Sequence, residues 1–127
     1  MAKLPRPTRA LRWIGSARKD FGNFPRDVQS QFGFELFLAQ IGQHPPSAKP
    51  LKGIEPGVIE LIEDHEGDTY RAVYTVRLHT AIYVLHCFKK KSLRGIKTPQ
   101  SDIDLIRHRL LSAKADDDAN SAKERKP

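Results

Sequence analysis

The sequence predicts an α+β domain in the order β-α-α-β-β-β-α: a small, antiparallel-rich twisted sheet with two helices before it and one after. Three observations carry that expectation. Apolar residues alternate through Tyr70-Arg71-Ala72-Val73-Tyr74-Thr75-Val76-Arg77 and again through Ile82-Tyr83-Val84-Leu85-His86-Cys87-Phe88, the period-two pattern of strands. Phe34, Phe37, Leu38 and Ile41 recur at i, i+3, i+4 and i+7, one stripe of a helix. Ile103, Ile106, Leu110 and Leu111 form a second helical stripe behind Thr98-Pro99.

Residues 1–10 are rich in proline and arginine and read as a flexible basic lead-in. Leu11-Arg12-Trp13-Ile14-Gly15 reads as a first strand. A helical region follows from Asp20 to about Gly42, a short helix and then a longer one from Pro25. Gly42 stops it before the turn at His44-Pro45-Pro46. Lys49-Pro50-Leu51-Lys52-Gly53 is a loop with two lysines, and Val58 to Glu63 is a strand that turns at His65-Glu66-Gly67-Asp68 into the hairpin. Thr98 or Ser101 caps the last helix, with Pro99 tolerated in its first turn. The domain spans 11–114, and the charged stretch 115–127 is expected to be disordered.

If the hairpin loop is the pair His79-Thr80, Leu78 faces Ala81, Val76 faces Tyr83, Tyr74 faces Leu85 and Ala72 faces Cys87, an apolar set for the core. The opposite face then pairs Arg77 with Ile82, Thr75 with Val84, Val73 with His86 and Arg71 with Phe88. Lys90 follows on the same side. Arg71, Arg77, His86 and Lys90 would share a partly open face. The register depends on the assumed turn, because a slip of one residue moves a strand's whole set across the sheet.

Lys plus Arg outnumber Asp plus Glu by 22 − 15 = 7, and the sequence pI is about 9.8. That balance favours a polyanionic partner. No apolar run is long enough to cross a bilayer and no signal peptide is evident, so no membrane role and a cytoplasmic location are expected. The one cysteine, Cys87, excludes an internal disulfide and falls on the predicted core face. The histidines are scattered and no metal-ligand spacing occurs, so neither metal nor cofactor is expected. There is no Gly-rich phosphate loop and no Gly-x-Ser-x-Gly.

Lys89, Lys90, Lys91, Arg94 and Lys97 place five cations within nine residues, and Lys49 and Lys52 can approach from their loop. Taken singly, a basic run is a solvated segment, Arg77 a surface arginine and His86 a packed histidine. Together with Arg71 they form a face able to hold a phosphodiester. RNA strand cleavage is one reaction such a face could run. The 2′-hydroxyl attacks its own phosphodiester, so the site needs only in-line positioning, charge stabilisation and proton transfer. Arg71 with Lys90 or Lys91 would clamp the phosphate, and His86 would serve as acid or base. Lys49, Lys52, Arg77, Lys89, Arg94 and Lys97 would hold the RNA.

At these residues the chain resembles the RelE/HigB superfamily of bacterial toxins, in its phage-derived HigB-like branch. The matching stretches are Lys49 to Gly53, Val58 to Leu61, Tyr70 to Val76 and His86-Cys87-Phe88-Lys89-Lys90-Lys91-Ser92. Thr98-Pro99, Asp102-Ile103 and Arg107-His108-Arg109 complete the order, over roughly 11–112. The resemblance implies a RelE-like fold and a ribosome-dependent, metal-independent endoribonuclease (an mRNA interferase) acting on translated mRNA. It also implies a tightly bound antitoxin of helix-turn-helix type. On this pattern Arg71 matches the strand arginine that contacts the scissile phosphate. Lys90 and Lys91 match the cations closing the strand, and Lys52 the loop lysine. RelE-branch relatives carry a tyrosine near the C-terminal end of the fold, whereas Tyr70, Tyr74 and Tyr83 all lie earlier. That departure supports the alternative, a noncatalytic RNA- or ribosome-binding module on the same fold.

Overall fold

The computed structural model describes residues 9–90 and 97–124. A five-stranded sheet of order β1-β5-β4-β3-β2 lies between two helical layers. β1 is Ala10–Trp13, β2 Lys49–Pro50, β3 Val58–His65, β4 Asp68–Thr75 and β5 Ala81–Lys90; α1 is Ala17–Gly22, α2 Arg26–Gln40 and α3 Gln100–Glu124. The predicted order holds, with the short β2 added where a loop was expected. β1 runs parallel to β5 and every other pairing is antiparallel.

One face of the sheet packs on α1 and α2. Its core joins Val28, Phe32, Leu36 and Ala39 to Leu61, Ala72, Tyr74, Ile82, Val84 and Cys87. The α2 stripe is not the expected one. Val28, Phe32, Leu36 and Ala39 are buried, while Phe34 and Phe37 are 55% and 43% exposed. Both sets satisfy helical spacing, and the choice is made by what the chain brings alongside. Phe24, entering the helix, meets Phe32 edge-on at 6.1 Å and Tyr70 of β4 at 4.9 Å, so Phe32 turns toward the sheet. Burial pushes the Cys87 thiol up to about 12, with Asp20 nearby adding to the rise, so it is an inert core thiol at neutral pH.

The other face was expected to be partly open. Instead α3 covers it, with Ile103, Ile106, Leu110 and Ala113 packed on Val58, Val73, Tyr83 and Leu85. Leu111, expected in the stripe, is 62% exposed. The hairpin explains the altered faces. Arg71↔Phe88, Ala72↔Cys87 and Val73↔His86 pair as anticipated, but Tyr74 then pairs with Val84 and Thr75 with Tyr83. The register skips Leu85, a bulge that puts Leu85 and His86 on the same side. Ile82 and Val84 thereby join the α1–α2 core, and Tyr83 and Leu85 turn to α3. The loop is residues 76–80, longer than the assumed two.

Both ends of the domain extend beyond their expected limits. Helix α3 runs through Glu124, where a disordered tail from 115 was expected. Its far end is fixed because the buried Asp117 accepts from the His79 and Thr80 N–H groups at 2.9 and 2.7 Å and from the Thr80 hydroxyl at 2.6 Å. Tyr83 also donates to Asp116 at 2.7 Å. Arg9, placed in the flexible lead-in, is anchored to the carbonyls of Val76, Leu78 and Ala81. Composition flagged both segments as polar, but these polar groups serve as ties to one loop.

Candidate active site

Val58, Glu60 and Ile62 lie on the same side of β3, since side chains alternate along a strand. Glu60 is opposite Val73 and Ile62 opposite Arg71, so Glu60 and Arg71 are diagonal neighbours on the α3 face. Arg71 Nη1 donates to Glu60 Oε2 at 3.0 Å, with both side chains only 4% exposed. A charge this deeply buried needs a partner, and the two residues supply one another. The Thr98 hydroxyl completes a triangle: it accepts from Arg71 Nη1 at 3.1 Å and donates to Glu60 Oε2 at 2.8 Å.

The pair forms the floor of a cleft of about 320 Å³. One wall is the Lys49–Gly53 segment; the other is Lys97, Thr98 and the first turn of α3, with Gln100 and Ile103. The first wall is held where Pro50 pairs with Ile59, where Leu51 N–H reaches the Val58 carbonyl at 3.0 Å, and where Arg107 of α3 donates to the Gly53 carbonyl at 2.7 Å. The second is braced by Lys90 Nζ on the Lys97 carbonyl, 3.0 Å. Lys49, Lys52 and Lys97 are exposed, so the cleft has cationic lips over a paired floor. The N-terminus of α3 adds its partial positive charge.

The cleft thus gathers Arg71, Lys49, Lys52 and Lys97 from the sequence-derived set, with Lys90 one contact behind. Lys91 and Arg94 lie outside the described residues. Three others are placed elsewhere. Arg77 follows the end of β4 and is exposed; its side chain lies across Gly57, where an added Cβ would fall 2.4 Å from Arg77 Cγ. Gly57 also has φ +92°, so glycine is required there twice over. Lys89 points to the opposite face of the sheet, near Asp68 at 3.8 Å, and borders a second hollow beside Phe24, Tyr70 and Cys87. His86 is on the α3 face, but its Nε2 is 2.8 Å from Asp102 Oδ1, its ring stacks on Phe88 at 4.6 Å, and its buried Nδ1 has no partner among the described residues. The shared face of Arg71, Arg77, His86 and Lys90 is therefore corrected: β4 ends before Arg77, and Asp102 of α3 takes up His86.

Three site residues escaped the sequence reading. Glu60 left a signal, a lone carboxylate at an inward position of an apolar strand. Thr98 was read, with Ser101, as a candidate helix cap, and Asp102 only as part of the Asp102-Ile103 stretch. Their partners, Arg71 and His86, are 27 and 16 residues away. Among the described residues no group of three or more His, Cys, Asp or Glu side chains could hold a metal, and no helix is long and apolar enough to cross a membrane.

The profile of the family described as phage-derived protein Gp49-like matches residues 19–111, from within α1 through both walls of the cleft and about the first half of α3. The chain belongs to the Gp49-like family. This is a family of RelE/HigB-like toxins, and the described fold is mixed α+β, a five-stranded sheet with helices at both ends. Among solved structures, one that the chain is similar to is the RelBE2 toxin–antitoxin complex of Mycobacterium tuberculosis. The identity is 21%, the match covers 68% of this chain and 97% of that one, and the TM-score is 0.42. No curated protein matches the chain in sequence.

Proposed function

We propose that this Gp49-like chain is the toxin of a toxin–antitoxin pair and a metal-independent endoribonuclease that cuts translated mRNA on the ribosome, in the cytoplasm. The observation that carries the reading is the buried Glu60–Arg71 pair on the floor of a cleft lipped by Lys49, Lys52 and Lys97. A phosphodiester entering the cleft meets the guanidinium fork and the ammonium groups, which stabilise charge on the phosphorane-like transition state. The 2′-oxygen attacks the adjacent phosphorus, the bond to the 5′-oxygen breaks, and a 2′,3′-cyclic phosphate remains. Glu60, the carboxylate in the cleft lining, takes the 2′-hydroxyl proton; an ammonium, Lys52 or Lys97, supplies one to the departing 5′-oxygen. His86, with one nitrogen on Asp102 and the other buried, holds the start of α3 against the sheet. The partner that restrains the chain is a cognate antitoxin, of helix-turn-helix type on the family resemblance. The net charge of +7 suits both an acidic antitoxin and ribosomal RNA.

The test is induced expression in a bacterial host with mapping of new mRNA 5′ ends. Arg71→Lys is the control. Arg71→Ala would leave Glu60 as an uncompensated buried charge, costing about 3–5 kcal/mol, whereas lysine keeps a cation and removes the fork. New ends inside translated frames, lost in Arg71→Lys, support the reading. No new ends from a folded, soluble protein would favour the noncatalytic RNA- or ribosome-binding module.

A further inference from the structure

We propose that Thr98 is a positioning residue whose hydroxyl orients the Glu60 carboxylate for proton transfer, an inference that rests on the nuclease reading of the cleft. The sequence context, Thr98-Pro99 ahead of a helix, makes this hydroxyl one of two cap candidates, beside Ser101. The structure uses it otherwise. α3 opens at Gln100, and the N–H groups of Asp102 and Ile103 reach the Pro99 carbonyl, each at 3.0 Å. Thr98 Oγ1 turns instead to the sheet, 3.1 Å from Arg71 Nη1 and 2.8 Å from Glu60 Oε2.

The consequence lies in how the carboxylate is divided. Arg71 and Thr98 both donate to Oε2, whereas no described residue donates to Oε1. With both donors on one oxygen, the other is left as an acceptor for a hydroxyl in the cleft. Glu60 and Arg71 belong to the sheet, and Thr98 enters from the segment after β5, so it also ties the opposite wall to the floor. Without this hydroxyl the carboxylate can rotate into a two-pronged pairing with the guanidinium, a geometry arginine favours. Oε1 would then be occupied and the acceptor lost. Valine is nearly isosteric with threonine and keeps the branched shape; serine keeps the hydroxyl.

The experiment is steady-state cleavage of mRNA on programmed ribosomes by the purified full chain, comparing wild type, Thr98→Val, Thr98→Ser and Arg71→Lys. Thr98→Val is expected to lower kcat about tenfold with KM within about twofold, the pattern of a lost transition-state contact. Thr98→Ser should restore most of kcat, and all four proteins should melt together. A Thr98→Val enzyme as fast as wild type, while Arg71→Lys is impaired, would overturn this role and leave the nuclease reading standing. A kcat loss that Thr98→Ser fails to rescue, or one that follows a fall in melting temperature, would also overturn it in favour of a structural role. If the wild type cuts nothing, the nuclease reading fails and this role with it.

Discussion

The two faces of the sheet differ in what they bury. The face under α1 and α2 is an aromatic and aliphatic core, with Phe24, Phe32 and Tyr70 in edge contact. The face under α3 buries Glu60, Arg71, Thr75, His86 and Asp117 among its apolar residues. Apolar burial is non-directional and stabilises by area. Buried polar groups stabilise only when each finds a partner in good geometry, and they cost heavily when one is removed. The first face is a foundation. The second holds fixed charges that water cannot screen, which is what a site for phosphodiester chemistry requires.

Substitutions on each face should therefore fail in different ways. The largest expected effect is on the foundation. Phe32→Ala should cost about 3–5 kcal/mol in denaturant unfolding, whereas Phe34→Ala on the exposed stripe should stay within about 0.5 kcal/mol of wild type. Equal costs would mean that the buried stripe of α2 is misassigned. On the opposite face, Arg71→Lys should reduce cleavage on the order of 10²–10³-fold, the scale for losing a preorganised charge contact, with little change in melting temperature.

The far end of α3 should show a pH dependence. Burial alone would raise the Asp117 carboxyl, but the N–H of His79 and the hydroxyl and N–H of Thr80 hold it below the usual value. A group depressed in the folded state contributes stability above its unfolded pKa, about 3.9. That contribution is lost as pH falls through the lower folded value. Melting followed from pH 6 downward should thus show an acid-side loss that shrinks in Asp117→Asn, and identical profiles would argue against the tie to the 76–80 loop. The smallest effect belongs to the cleft lip. Lys52→Ala should weaken RNA association a few-fold and flatten its salt dependence by roughly one unit of slope.

The fold was largely legible because its signals are local. Alternation marked β4 and β5, helical spacing marked α2 and α3, and Lys49, Lys52 and Lys97 line one cleft with Arg71. The errors have a common origin in contacts between residues far apart in sequence. Nothing near Leu85 announces a bulge, yet that one residue reassigns Ile82, Tyr83 and Val84 between faces. Nothing near Phe32 distinguishes it from Phe34; Phe24 and Tyr70 do. The run of acids after Ala115 has the composition of a solvated tail, and becomes helix because Asp116 and Asp117 meet Tyr83 and the His79–Thr80 loop. Glu60 alone could have been recovered, as an inward carboxylate that demanded a cation.

The central claim is that the polar face, at Arg71 and Glu60, is where RNA is cut. Its most direct test is purified wild type and Arg71→Lys, matched in melting temperature, acting on mRNA held in programmed ribosomes and read by primer extension. The account predicts discrete cuts by the wild type and their near disappearance with Arg71→Lys. Equal cutting by the two folded proteins would contradict it and place the chemistry elsewhere on the chain.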